Sequence, residues 1–317
     1  MELLHSKKKF FIEKLEINLL ENALDFIQSS IDHLLNEYEA NNINTHRGWN
    51  IKSMKYVVLH LSAGVDLLFK YRISKVHWSL LFQDIDKANI QKMQLGDFVS
   101  INSITCLKRL ENNCEVKLED EFVNNIKWLR EKRNTMEHFK ISESKIEIEA
   151  RIFKIIKGTL CFIEKELSEN HFSYEEKVIL DSVRKKIGHI ENYIAYRWKE
   201  IEEIVRQKES NGEIVIKCPK CFQKASFIGE ICKCEYCNYS ALSNEFARDY
   251  IWSFMGVNEY AVASRGGEYP LYICPECEGE TMILDENENL SLCVSCGKRL
   301  PTNDKYLSRR ENLVFDI

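Results

Sequence analysis

Apolar residues in the first two thirds of the chain recur every three or four positions. Leu15, Leu19, Leu20, Ala23, Leu24, Ile27, Ile31, Leu34 and Leu35 draw one stripe, which predicts an amphipathic helix over roughly 8–37. A more thoroughly apolar run predicts a buried helix over 52–72, and "HWSLLF" or its flank a shorter one. Phe122, Ile126, Trp128 and Leu129 place a helix over 117–138. Ile146, Ile148, Ile152, Ile155, Ile156, Leu160 and Ile163 place the next over 145–168. Val178, Ile179, Val183, Ile187, Ile190, Ile194 and Trp198 predict a last long helix over 174–208. Such a series makes a helical bundle.

The pattern changes near residue 211. The chain has no proline before Pro219, and Pro270, Pro275 and Pro301 follow it. A β-rich domain draws its turns from Pro and Gly, so the long proline-free part is expected to be helical. In "QKESNGEIVIKCPKC" the Asn-Gly ends a helix, and β-branched alternation leads into a cysteine pair. The expected architecture is mainly α: a helical domain over 1–210, then two small β modules over 211–243 and 271–317. A connector over 244–270 joins them, with a short helix in "NEFARDYIWSFMG".

Cysteine spacing gives those modules their chemistry. Cys218 and Cys221 are followed after twelve residues by Cys234 and Cys237, and Cys274 and Cys277 after fifteen by Cys293 and Cys296. Two CxxC pairs separated by a hairpin-length segment are what a tetrahedral four-thiolate zinc site needs, so two zinc ribbons with one structural Zn2+ each are expected. The intervening pieces "KASFIGEI" and "TMILDENENLSL" are strand-like. All eight histidines lie at or before residue 189, so the ligands are thiolates alone. Four protein ligands leave no open position for substrate, which argues against a zinc enzyme. Small modules of this kind fold with their metal, so chelation is expected to unfold this third of the chain first. Cys232 reads as a bystander, and Cys106, Cys114 and Cys161 as core or free thiols. The loop "SRGGEYPLY", with Arg265, Tyr269 and Tyr272, reads as a connector packing on a ribbon; stacking on nucleic acid is its other use.

The 317 residues carry a formal net charge of −5, and neither part is basic overall, so no wide footprint for duplex nucleic acid is visible. No apolar run approaches the roughly 20 residues of a membrane span. The N-terminus lacks the apolar block of a secretory signal, so the chain is expected to stay in the cytoplasm, where thiols remain reduced.

The segment "REKRNTMEHF" (130–139) closes the helix predicted over 117–138. Within it Arg133 and His138 are separated by four residues. Cleaving RNA without a metal requires an acid or base near neutral pH and a fixed cation on the phosphate, which His and Arg supply. Arg72 with His77 and Arg184 with His189 have the same spacing, but only Arg133 is followed by a polar Asn134.

The Arg133–His138 segment, with Asn134, the apolar lead-in "FVNNIKWL" and Phe139, resembles the Arg-x4–6-His motif of HEPN domains, helical bundles many of which are metal-independent ribonucleases. "KYVVLHLSAGVDLLFKYRISKVHWSLLF" (55–82) is similar to an early helix of bacterial proteins of that superfamily. The resemblance covers about residues 8–208. It implies His138 as general acid or base, Arg133 on the scissile phosphate and Asn134 orienting one of them. Residues five apart on an ideal helix are about 140° apart, so the two side chains meet only if the helix end distorts or a second copy contributes. The family's composite cleft implies the latter, in a homodimer. The expected activity is an endoribonuclease using 2′-hydroxyl attack, in a toxin or antiviral effector, with RNA as substrate and a protein regulator or antitoxin as a further partner. The other reading is a non-catalytic dimeric module whose ribbons bind nucleic acid or a protein. Glu137, four residues after Arg133, would then serve an i,i+4 ion pair.

Overall fold

The computed structural model describes residues 18–43, 51–138, 145–265, 268–285 and 290–300. The first stripe forms α1 (Leu19–Ile43), with Leu20, Ala23, Leu24, Ile27, Ile31 and Leu34 buried; the expected start over 8–17 lies outside the described residues. α1 packs along α2 (Ile51–Ser74). The two backbones meet at Gly64, where a Cβ would lie 2.7 Å from Ile27 Cγ1 and 3.0 Å from the Ala23 oxygen. The "HWSLLF" helix is only a four-residue 3-10 turn, Trp78–Leu81, because Phe82 leaves it in extended backbone. Helix α3 (Ile90–Leu95) is also short, at six residues.

Helix α4 (Ser103–Cys114) was not foreseen. Asn102 Oδ1 accepts the N–H groups of Ile104 and Thr105, both at 3.1 Å, and Cys106, Leu110 and Cys114 bury one narrow stripe. Polar residues around that stripe dilute the pattern. Helices α5 (Asp120–His138) and α6 (Lys145–Glu166) fall where the periodicity puts them. α2 lies at the centre, touching α1, α4, α5 and α6.

The helix expected over 174–208 is two helices, α7 (Tyr174–Ile187) and α8 (Glu191–Ser210). Apolar spacing runs through the break unchanged, but Gly188 caps α7 after the basic last turn Arg184–Lys186, and Ile190 continues in extended backbone. Gly188 is pressed against the carbonyl oxygen of Cys221, 2.4 Å from where a Cβ would sit.

Strands β1 (Val215–Ile216), β2 (Ser226–Phe227), β3 (Ile231–Cys234) and β4 (Ser240–Leu242) form one antiparallel sheet in sequence order. The connector holds α9 (Ser243–Tyr250), a π-helical turn at Ile251–Met255 and α10 (Glu259–Arg265). Strands β5 (Leu271–Ile273), β6 (Glu280–Asp285) and β7 (Leu290–Cys293) form a second antiparallel sheet. The chain is therefore a helical bundle followed by two small β modules. Its main core runs without interruption from the helices into the first sheet, includes Cys218, Cys221, Cys234 and Cys237, and reaches Leu271, Ile283 and Val294 of the second module. Tyr272, Cys274, Met282 and Cys293 form a small separate cluster in the second. No described helix is long and apolar enough to cross a membrane.

Gly188 has φ −69°, a conformation in which alanine normally stabilises a chain slightly. Here the close approach reverses the sign: Gly188→Ala should cost roughly 1–3 kcal/mol, as overpacking does. A urea titration reads this as a lower midpoint at unchanged slope; an unchanged or higher midpoint refutes the contact's importance.

Candidate functional site: two cysteine clusters and the end of α5

All four CxxC segments fold into the same turn. The residue after the second cysteine has left-handed backbone: Phe222 (φ 63°), Asn238 (φ 58°), Glu278 (φ 57°) and Gly297 (φ 81°). Its N–H donates to the carbonyl of the first cysteine, at 3.0, 3.0, 2.8 and 2.9 Å in that order. The first cysteine's N–H donates to the next carbonyl along, those of Gln223, Tyr239, Gly279 and Lys298 at 2.8–2.9 Å. Glycine and asparagine accept this conformation readily, whereas Phe222 and Glu278 hold it at a cost of about 1–2 kcal/mol each. Repeating it four times, twice against preference, serves to bring sulfurs together.

Within each group of four, the Sγ atoms all lie within 4.8 Å of one another. Neighbouring sulfurs are 3.8 Å (Cys218–Cys237), 3.7 Å (Cys221–Cys234), 3.6 Å (Cys274–Cys296) and 3.7 Å (Cys277–Cys293) apart. A disulfide is about 2.05 Å long, whereas four sulfurs about 2.3 Å from one tetrahedral ion lie roughly 3.8 Å apart. Backbone N–H groups of Lys220 and Cys296 point at Cys218 and Cys293 Sγ, each at 3.4 Å, as suits thiolates. Both clusters can hold a metal ion.

Their surroundings differ. All four cysteines of the first cluster are buried; in the second, Cys274 and Cys293 are buried but Cys277 and Cys296 are exposed. The helices also grip the first cluster directly. Arg197 of α8 donates to the carbonyls of Tyr236 (3.1 Å) and Glu235 (2.6 Å), both inside the second turn. The Tyr236 hydroxyl donates to the Ile187 carbonyl at 3.0 Å, and Asn238 Nδ2 to Glu164 at 2.8 Å. Trp198 Nε1 donates to Gln223, which donates to the Gly188 carbonyl. Arg197 was missed in the sequence, although it shares a buried stripe with Tyr193, Ile201 and Val205, where an arginine signals a buried partner.

Cys232 stays outside the cluster. Its thiol points at the carbonyls of Val294 (3.4 Å) and Gly229 (3.6 Å), and burial pushes its pKa up to about 11. Tyr272 is buried and Tyr269 packs on the main core, so neither offers a free stacking face; the Arg265 side chain lies outside the described residues. No protein-family model matches the chain, and comparison with curated proteins and with solved structures finds no match.

At the end of α5, Arg133 and Asn134 are exposed. Arg133 pairs with Glu137 at 3.2 Å. His138 is the last helical residue; its side chain, like Phe139, lies outside the described residues. The other two pairs are engaged elsewhere. Arg72 meets the Cys114 carbonyl (3.3 Å) and Glu166 (3.5 Å), and His77 caps a 3-10 turn by accepting from Ser79 N. Arg184 is 1% exposed and grips Glu169 with both terminal nitrogens.

These environments predict unequal roles. Cys218→Ser should lower the melting temperature of the helical signal by at least about 5 °C, Cys277→Ser by less than about 2 °C. Circular dichroism at 222 nm against temperature measures both, and equal shifts refute the distinction.

Proposed function

We propose that the chain is a metal-independent endoribonuclease of HEPN type, acting as a homodimer on RNA and braced by two structural zinc ions. Zinc is favoured because closed sets of four thiolates suit that soft, redox-inert ion. The observation carrying the ribonuclease reading is the accessibility of Arg133. Of the three Arg-x4-His pairs, this arginine alone is not tied to a structural partner: its side chain is 47% exposed, and its bond to Glu137 joins two exposed groups. Such pairs are worth only about 0.3–0.5 kcal/mol, so the guanidinium can exchange Glu137 for a phosphate.

Its position on α5 supports a dimeric cleft. Ile126, Leu129 and Met136 lie seven and four residues before Arg133 and three after it, and all three are buried. Arg133 therefore lies along the core-facing stripe of α5 yet is itself exposed, between buried Leu129 and Met136, on the side of the helix where a second copy would complete a cleft. In the proposed reaction the 2′-oxygen attacks phosphorus, the bond to the 5′-oxygen breaks, and a 2′,3′-cyclic phosphate forms. His138 moves the proton, Arg133 holds the phosphate and Asn134 orients one of them. A role as toxin or defence effector, restrained by a protein regulator, fits such an activity.

The test is RNA cleavage in magnesium-free buffer without chelator, comparing the wild type with His138→Ala and Arg133→Ala. Cyclic-phosphate ends are expected, with a loss of about 10²–10⁴-fold on removing His138. Fragments ending in 3′-hydroxyls, or undiminished cleavage by His138→Ala, would sink the mechanism. If no protein cuts while all remain folded dimers, the chain is a binding module and its ribbons carry the function.

A further inference from the structure

The two cysteine clusters share a turn and a sulfur spacing but not a fate. The first lies wholly in the main core under Arg197, Tyr236 and Gly188. The second has two exposed sulfurs, Cys277 and Cys296, and rests on a small cluster of its own. Each exposed sulfur lies beside a buried one in the opposite turn, Cys277 at 3.7 Å from Cys293 and Cys296 at 3.6 Å from Cys274. Cys293 is held in place by Thr281 Oγ1 (3.1 Å) and by the Cys296 N–H.

We propose that Cys277 and Cys296 are a modification site for hydrogen peroxide, through which the second centre gives up its ion while the first keeps its own. This rests on the zinc reading above and not on the ribonuclease reading. An exposed thiolate attacks one peroxide oxygen; the O–O bond breaks, leaving a sulfenic acid and hydroxide. The neighbouring thiolate of the opposite turn attacks that sulfur; the S–S bond forms, the S–O bond breaks and a second hydroxide leaves. Two protons convert the hydroxides to water, so two sulfurs are oxidised by one peroxide that is reduced by two electrons. The disulfide joins the two turns and removes two of four ligands, so Zn2+ departs. Exposure governs the access of peroxide to such sulfurs, and it favours this pair over the buried set.

The bundle has little stake in that loss. Arg248 of α9 reaches Glu280 at 2.8 Å, Gly229 N–H meets the Val294 carbonyl at 3.0 Å, and Leu271, Ile283 and Val294 of this module belong to the main core, but none of the four cysteines of the second cluster does. Release should therefore leave the helices folded and reshape only the end of the chain.

The experiment uses the full chain with its metal content measured first. Hydrogen peroxide is added at one equivalent, zinc release is followed with a chromogenic chelator, and disulfides are mapped by mass spectrometry. The expected result is one Zn2+ released per chain, at least about tenfold faster than the other, with a disulfide linking the 274–277 turn to the 293–296 turn and an unchanged helical signal. Cys232→Ala should behave identically, which separates that buried thiol from the reaction. Two ions released together, none released, or a disulfide within the 218–237 set overturns the proposal and leaves the zinc reading standing. A protein purified with fewer than two zinc ions overturns the zinc reading and this proposal with it.

Discussion

The contact between Gly188 and the Cys221 carbonyl sets the shape of this molecule. It falls where Gly188 ends α7, and it seats the first cysteine turn against the junction of α7 and α8. Once there, the turn cannot be an appendage. The four cysteines of its cluster are core residues, the carbonyls of the second turn are satisfied by Arg197, and Tyr236 closes the end of α7. Four buried thiolates without an ion would repel one another at 3.7–3.8 Å, so the bundle and the metal centre are expected to form as one cooperative unit. The change in local structure near residue 211 is a change of secondary structure and not a break in the core.

Buried charge fixes the register of that union. Lys220, inside the first turn, bonds Asp181 of α7 at 2.7 Å and Asp249 of α9 at 3.0 Å, so one ammonium joins helix, ribbon and connector. Burial alone would lower its pKa, but the two carboxylates hold it above the ordinary lysine value. The Tyr239 hydroxyl donates to the same Asp249, and Arg184 and Lys220 both approach the Tyr239 ring. Arg184 Nε, fully buried, has no hydrogen-bond partner, a cost that its two-pronged grip on Glu169 offsets. Such pairs contribute little net stability against an apolar alternative, yet each fails badly if one member moves, and so they select a single docked geometry.

The long helices were legible because their burial is one-sided and their apolar residues periodic; α2, α5 and α6 fall within a few residues of expectation. The two sets of four cysteines were legible because a tetrahedral thiolate site dictates its own spacing, and the structure brings each set's sulfurs together. Much of what the chain hid depends on contacts distant in sequence. The packing of Gly188 answers to Cys221 and the docking role of Arg197 to carbonyls in a turn nearly 40 residues away, whereas α4 was obscured locally by the narrowness of its buried stripe. Spacing alone made three Arg-His pairs equivalent; Asn134 after Arg133 already set one apart, and burial separates them further. Arg184 belongs to the core, Arg72 to a helix contact, and Arg133 to the surface.

That separation bears on how metal and chemistry relate here. Among the described residues, the groups able to hold a metal are the two cysteine sets, and four sulfurs apiece leave those centres no position for a substrate. Chemistry at the end of α5 would instead rest on a guanidinium and an imidazole, on a helix that packs against α2 and α6. An ion held by these sulfurs would therefore serve the fold, while the proposed reaction needs none. A strong chelator acting on the buried centre would withdraw support from α7 and α8 and, through α1 and α2, from the seat of α5. Activity lost in that way reports the scaffold, and only substitutions at Arg133 and His138 address the reaction itself.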